Sequence, residues 1–70
     1  MRDIKIVNQI AINVKKLRLS QDLSQENLAD LTKVHRTYIS LIERRKKVIS
    51  VSILEKLAKA FNVEISELIK

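Results

Sequence analysis

One spacing recurs along this sequence and limits what the chain can fold into. In four places an apolar residue is followed directly by a candidate N-cap residue and, five positions after the apolar residue, by a second apolar residue. This is the spacing of a hydrophobic staple, which spans the first turn of an α-helix. Ser24 and Ser50 are good N-caps, whereas His35 and Glu64 are poor ones by intrinsic preference. The four pairs are Leu23 and Leu28, Val34 and Ile39, Ile49 and Leu54, and Val63 and Leu68.

A longer helix is predicted before these four, because Val7, Ile10, Val14 and Leu17 fall on one helical stripe. The sequence has 0 Gly and 0 Pro, so nothing interrupts the periodicity, and no strand-like alternation is present. We therefore predict an all-α fold, and a single domain over residues 1–70. The predicted helices cover about 5–20, 25–31, 36–44, 51–61 and 65–69.

Composition excludes several classes of protein. With 0 Cys and 1 His, the chain has no material for a disulfide framework or a zinc site, and it has no glycine-rich loop. No apolar run approaches the ~18 residues of a membrane span, and no secretory segment is visible. The sequence predicts a cytoplasmic protein that is not an enzyme, has no metal or cofactor and does not bind a membrane.

The positive charge is concentrated in one segment. Residues 33–47 carry six basic side chains and one acidic one, a net +5 out of the +6 of the whole chain. The segment covers the third predicted helix and the loop after it. Such a localised excess is the footprint of a phosphate-binding surface.

The third helix separates a polar face from an apolar one when its residues are placed at 100° intervals. An α-helix fits the major groove of B-DNA, where Arg can bond guanine bidentately and Thr offers a hydroxyl and a methyl. The alternative is a solvated face that is basic by chance, against which the leucine on this face argues. The outward face carries Arg36, Thr37, Ser40, Leu41 and Arg44, and the inward face carries His35, Tyr38, Ile39 and Ile42.

Three stretches together resemble the Cro/phage-repressor (Xre-type) helix-turn-helix family over about residues 8–69. They read LSQENLA at 23–29, RTYISLIER at 36–44 and ILEKLAKAFNV at 53–63. The second stretch is most similar to the controller proteins of restriction–modification systems. The resemblance implies a compact five-helix, lambda-repressor-like domain whose helix-turn-helix motif lies at about 25–44.

The resemblance also implies roles for individual residues. Base-edge contacts fall on Arg36, Thr37 and Leu41. For Tyr38 two interpretations stay open, a hydroxyl on a phosphate or a contact with the centre of the operator. An ion pair is implied between Arg18 and Glu43, against the alternative of two ordinary surface charges. The DNA backbone would be held by Ser24, Gln25, His35, Tyr38, Ser40, Arg44, Arg45, Lys46 and Lys47.

The sequence departs from the family at four positions that are commonly glycine, namely Asp22, Lys33, Arg45 and Asn62. Such sites often need a positive φ, which Asn and Asp tolerate better than long side chains do. At Lys33 and Arg45 we expect either a left-handed residue strained by ~1 kcal/mol or a rearranged turn.

Self-association is expected from four isoleucines beyond the main apolar stripes: Ile49, Ile53, Ile65 and Ile69. In the resembling family the last helix and the loop between helices 3 and 4 form a two-fold interface. Two of the isoleucines could instead complete the core of a monomer. A dimer would place two reading helices one DNA turn apart, ~34 Å, on a pseudo-palindromic site.

The sequence thus predicts a homodimeric, sequence-specific regulator of transcription that binds double-stranded DNA. Its occupancy of an operator would block or recruit RNA polymerase, as a repressor or an activator, within a restriction–modification system if the narrower resemblance holds. The competing hypothesis is a helical protein-interaction module, an antitoxin or a phage-type repressor that acts mainly through a protein partner.

Overall fold

The computed structural model describes residues 4–70, in which all regular secondary structure is α-helical and no strand is present. The all-α prediction is confirmed, and each helix end lies within one residue of its predicted position. The helices are α1 (Ile4–Ser20), α2 (Gln25–Thr32), α3 (Arg36–Glu43), α4 (Val51–Phe61) and α5 (Ser66–Ile69).

Side-chain caps begin three of the helices. Ser24 Oγ accepts the Asn27 amide at 2.9 Å, while Asn27 Oδ1 accepts the Ser24 amide at 3.2 Å, a complete capping box. Ser50 Oγ accepts the Ile53 amide at 3.2 Å. His35, a poor cap by preference, nevertheless caps α3 through its ring.

The N-cap of α5 expected at Glu64 is wrong. The helix begins at Ser66, and its N-cap position, Ile65, makes no side-chain hydrogen bond. Its first turn is closed by main-chain bonds alone, from the Glu67 amide to Glu64 O at 2.9 Å and from the Leu68 amide to Ile65 O at 2.8 Å. A glutamate offers little as a cap, so the position of this turn is set by tertiary contacts.

The turns that follow α1, α2, α3 and α4 use left-handed residues other than glycine. The φ angles of Asp22, Lys33, Arg45 and Asn62 are 56°, 61°, 62° and 60°. Of the two alternatives at Lys33 and Arg45, the structure has the left-handed residue. After α3, the Lys46 amide bonds Leu41 O at 2.8 Å and the Arg45 amide bonds Ile42 O at 3.0 Å, which is a Schellman motif with arginine at the usual glycine position.

The core lies where the four longer helices and α5 meet. Val14, Leu28, Ile39, Leu57 and Leu68 are each 0% exposed. Val14 is a predicted stripe residue, and Leu28, Ile39 and Leu68 are predicted staple residues, so the first turns of α2, α3 and α5 are held by burial in the core. The other buried members of the cluster are Ile10, Val34, Ile42, Ala58 and Phe61.

Two amides of α1 and of the turn after it bind the C-terminal ends of other helices. Asn13 Nδ2 donates to Leu68 O at 2.9 Å and to Lys70 O at 3.0 Å. Gln21 Nε2 donates to Phe61 O at 3.0 Å. Because the last carbonyls of a helix lack intrahelical partners, these bonds fix the ends of α5 and α4 against α1.

Candidate nucleic-acid interface

Helix α3 buries one face and presents the other. Ile39 and Ile42 are 0% and 2% exposed, which anchors the helix in the core. Arg36 and Thr37 are exposed on its first turn, so their side chains are free to meet a ligand. Ser40 and Leu41 are half-buried, not fully on the surface. The outward face therefore lies open at its N-terminal end and is partly covered further along.

A basic loop extends this face beyond the end of α3. Arg44, Arg45, Lys46 and Lys47 are all exposed. The Lys47 ammonium lies 5.3 Å from the centroid of the Tyr38 ring, within the range of a cation–π contact. Tyr38 itself is half-buried and packs against the core. This contact ties the end of the basic loop to the first half of α3.

His35 lies on the surface at the start of α3, so its placement on the inward face is wrong. Its Nδ1 accepts the Thr37 amide at 3.0 Å. The ring is exposed because this bond holds it over the end of the helix instead of against the core. It lines an open groove with charged residues of both signs, Glu26, Asp30, Lys33 and Arg36.

A buried ion pair fixes α3 to α1. Arg18 Nε donates to Glu43 Oε2 at 2.7 Å and the second guanidinium arm donates to Oε1 at 3.0 Å. The two side chains are only 10% and 5% exposed, so the alternative of two surface charges is wrong. The pKa of Arg18 is raised above its ordinary value, chiefly by the side-chain hydrogen bond to Glu43 and against the desolvation caused by burial.

The same network reaches the turn and α2. Arg18 Nη1 donates to Leu23 O at 2.8 Å, and Gln25 Nε2 donates to Glu43 Oε1 at 3.2 Å. Gln25 therefore braces α3 against α2. Its amide nitrogen has a second hydrogen, which leaves one donor for a phosphate. The phosphate contacts expected of Ser24 and Gln25 remain predictions.

A separate apolar groove of about 260 Å³ lies between the start of α1, the loop before α4 and α5. Two of the four isoleucines expected at an interface, Ile49 and Ile69, line it, whereas Ile53 and Ile65 pack against the core. The sequence analysis did not identify two other residues that line the groove, Ile6 and Val48. Ile6 and Val48 are apolar yet 47% and 56% exposed, and a search for apolar residues off the main stripe would have found both. The remaining lining residues are Val7, Ile10 and Leu54.

Within residues 4–70, no three His, Cys, Asp or Glu side chains are grouped so that they could hold a metal ion. No helix in the same range is both long and apolar enough to span a membrane.

The arrangement of α2, a tight turn and α3, with the first turn of α3 exposed, is matched by known proteins. Residues 14–68 match the helix-turn-helix family HTH_3, which is more than half of the sequence. The chain belongs to this family. Control protein C.SmaI from Serratia marcescens is 42% identical over 67 residues, a match that covers 96% of this chain and 77% of that protein.

Solved structures of helix-turn-helix proteins share the fold. The restriction–modification controller protein C.AhdI from Aeromonas hydrophila has a TM-score of 0.85 at 34% identity, covering 89% of this chain and 94% of that one. The controller protein C.Esp1396I, as a tetramer in complex with its natural 35 base-pair operator, has a TM-score of 0.80 at 32% identity, covering 93% and 96%. This chain is thus a helix-turn-helix DNA-binding regulator homologous to controller proteins.

Proposed function

We propose that this protein regulates transcription as a controller-type homodimer that binds a pseudo-palindromic operator through the outward face of α3. The observation that carries the proposal is the pairing of the exposed Arg36 and Thr37 with the exposed basic loop, on a helix anchored by Ile39 and Ile42. A rigid helix with free arginine and hydroxyl groups at its N-terminal end can enter the major groove and bond base edges.

Within this proposal, the residues divide into two kinds of contact. Arg36, Thr37 and the accessible edge of Leu41 read bases, and they choose the operator. The other assigned positions hold phosphates, so they set affinity and its salt dependence without choosing a sequence. These are Ser24, Gln25, His35, Tyr38, Ser40, Arg44, Arg45, Lys46 and Lys47.

In this proposal, two copies associate through the apolar groove that Ile49 and Ile69 line. Exposed Ile6, Val48 and Ile69 lie around it, and burying them against a second copy removes apolar surface from water. That C.Esp1396I binds its operator as a tetramer supports assembly of copies on DNA. Ile53 and Ile65 contribute through the core that supports this surface.

A role as a regulator of transcription also implies a domain organisation, a location and an effect on RNA polymerase. Residues 1–70 act as one DNA-binding unit in the cytoplasm, where the DNA is, and carry out no catalysis. A controller-type regulator would affect RNA polymerase by blocking or recruiting it at the promoter that contains the operator.

The test begins with selection of bound sites from random DNA, which gives the operator. Arg36→Ala is then expected to cost about 1–3 kcal/mol at that operator and to relax preference at one base position, because a bidentate contact is lost. Lys46→Ala is expected to weaken all DNA sequences alike and to reduce the slope of log K against log salt by about 1.

Lys56→Ala provides the matched control, since Lys56 is an exposed lysine on α4 outside the basic segment. It should leave both operator affinity and the salt slope unchanged. The assignment of base reading to α3 fails if Arg36→Ala lowers affinity for operator and random DNA by the same factor. Intact regulation in cells by the Arg36→Ala protein would instead favour action through a protein partner.

A further inference from the structure

Helix α5 is a single turn that has few means of holding its own position. It spans Ser66–Ile69 and lacks a side-chain N-cap. Leu68, at 0% exposure, is its one fully buried residue. The Lys70–Glu67 ion pair at 2.9 Å is on the surface, where such pairs add little. Ile65, directly before the turn, also packs against the core, but neither it nor Leu68 holds the main chain beyond Leu68.

Asn13 holds that part of the main chain, from the middle of α1. Its amide nitrogen donates one hydrogen to Leu68 O at 2.9 Å and the other to Lys70 O at 3.0 Å. These two carbonyls stand on either side of Ile69. The backbone of Ile69 is therefore held both before and after its Cα by one half-buried side chain.

Ile69 is the residue by which α5 contributes to the apolar groove. It is 45% exposed and lines the groove together with Ile6, Val48 and Ile49. Its neighbour Leu68 points into the core, so a rotation of the turn would move Ile69 away from the groove wall. The direction of Ile69 thus depends on the two carbonyl bonds to Asn13.

We propose that Asn13 is a positioning residue for dimerisation: by holding the carbonyls on both sides of Ile69, it keeps the α5 wall of the apolar groove in the shape that a second copy recognises. The inference rests on the proposed function, since it takes the groove as the dimer surface. In this mechanism Asn13 does not need to contact the second copy. It acts by positioning Ile69, which does.

The test compares Asn13→Ala with Gln21→Ala. Gln21 makes the same kind of bond, from an amide to a helix-terminal carbonyl at 3.0 Å, but at the end of α4. The carbonyl that accepts this bond belongs to Phe61, which does not line the groove. Asn13→Ala loses two such hydrogen bonds and Gln21→Ala loses one, so a merely structural role predicts that self-association weakens in both variants.

Sedimentation equilibrium should show that Asn13→Ala raises the dimer dissociation constant about tenfold, the loss expected when one to two hydrogen bonds no longer fix a contact residue. Gln21→Ala should leave that constant within about twofold of the parent. Hydrogen exchange of the Ile69 amide should also accelerate in Asn13→Ala, at a temperature where the chain is folded. Equal rises in both variants, or no rise in Asn13→Ala, would overturn the inference.

Two further variants keep the outcome interpretable. Asn13→Asp preserves the shape of the side chain but replaces its donors with acceptors, so it should weaken the dimer even if Asn13→Ala does not fold. Ile69→Glu tests the proposed function itself: a protein that stays dimeric places the dimer surface elsewhere. If Ile69→Glu becomes monomeric and the Asn13 variants keep the parental dissociation constant, only the role of Asn13 is wrong.

Discussion

Removing one partner of the Arg18–Glu43 pair should destabilise the fold more than any surface substitution. Glu43→Leu leaves a guanidinium whose side chain is 10% exposed with one acceptor, Leu23 O at 2.8 Å. Arg18→Met leaves a carboxylate at 5% exposure with only Gln25 Nε2 at 3.2 Å. An uncompensated buried charge costs about 3–5 kcal/mol. A domain of 70 residues has a free energy of unfolding of roughly 4–10 kcal/mol, so either change removes a large part of it.

The double variant Arg18→Met/Glu43→Leu should behave differently. Both charges are gone, and two apolar side chains of comparable length fill the space. Replacing a buried pair in this way is about neutral or stabilises by about 1–4 kcal/mol. The double variant is therefore expected to be far more stable than either single one. Its DNA affinity should nevertheless fall, because the bidentate bond that orients α3 relative to α1 is lost.

Urea unfolding followed by far-UV circular dichroism measures these differences. Urea is preferred over guanidinium chloride because a salt screens ion pairs. Protomer concentration must be the same for all variants, since the stability of a dimer depends on it. A loss below about 1 kcal/mol in both single variants would refute the reasoning, because it would mean that the pair behaves as an exposed one. A double variant as unstable as the single ones would show that the residues contribute through packing.

Three further predictions concern the turns, caps and core. Lys33→Gly should stabilise the fold by about 0.5–1 kcal/mol, because glycine removes the ~1–2 kcal/mol cost of the left-handed conformation at some entropic cost, and the melting temperature should rise by about 2–8 °C. Ser50→Ala should lower the free energy of unfolding by about 1 kcal/mol through loss of the bond to the Ile53 amide, and Ser52→Ala, beside it, should not. Leu57→Ala, at a position 0% exposed, should cost about 2–5 kcal/mol in urea unfolding.

Local features of the sequence were sufficient to predict where helices begin. At Ser24 and Ser50 the cap and the staple lie within six residues, so the information is short-range. At α5 the cap expected at Glu64 was wrong, and the turn is instead held in part by Asn13, 55 residues earlier in the chain than Leu68. No local pattern contains that contact.

The candidate interface was also predicted only in part, because a helical wheel contains short-range information alone. A helical wheel separates Ile39 and Ile42 from Arg36 and Thr37, and the structure has them buried and exposed respectively. It could not show that His35 turns its ring outward to accept the Thr37 amide. Nor could it show that the groove near α5 is completed by Ile6 of α1 and Val48 of the loop before α4, which are far apart in the sequence.

The left-handed residues on either side of α3 have a consequence for how charge is distributed. Lys33, with φ of 61°, reverses the chain before the helix, and Arg45, with φ of 62°, reverses it afterwards. Both are exposed. At each turn, the same residue therefore changes the direction of the main chain and carries a positive charge. A short polypeptide can in this way flank one helix with electropositive corners, without lengthening either connection.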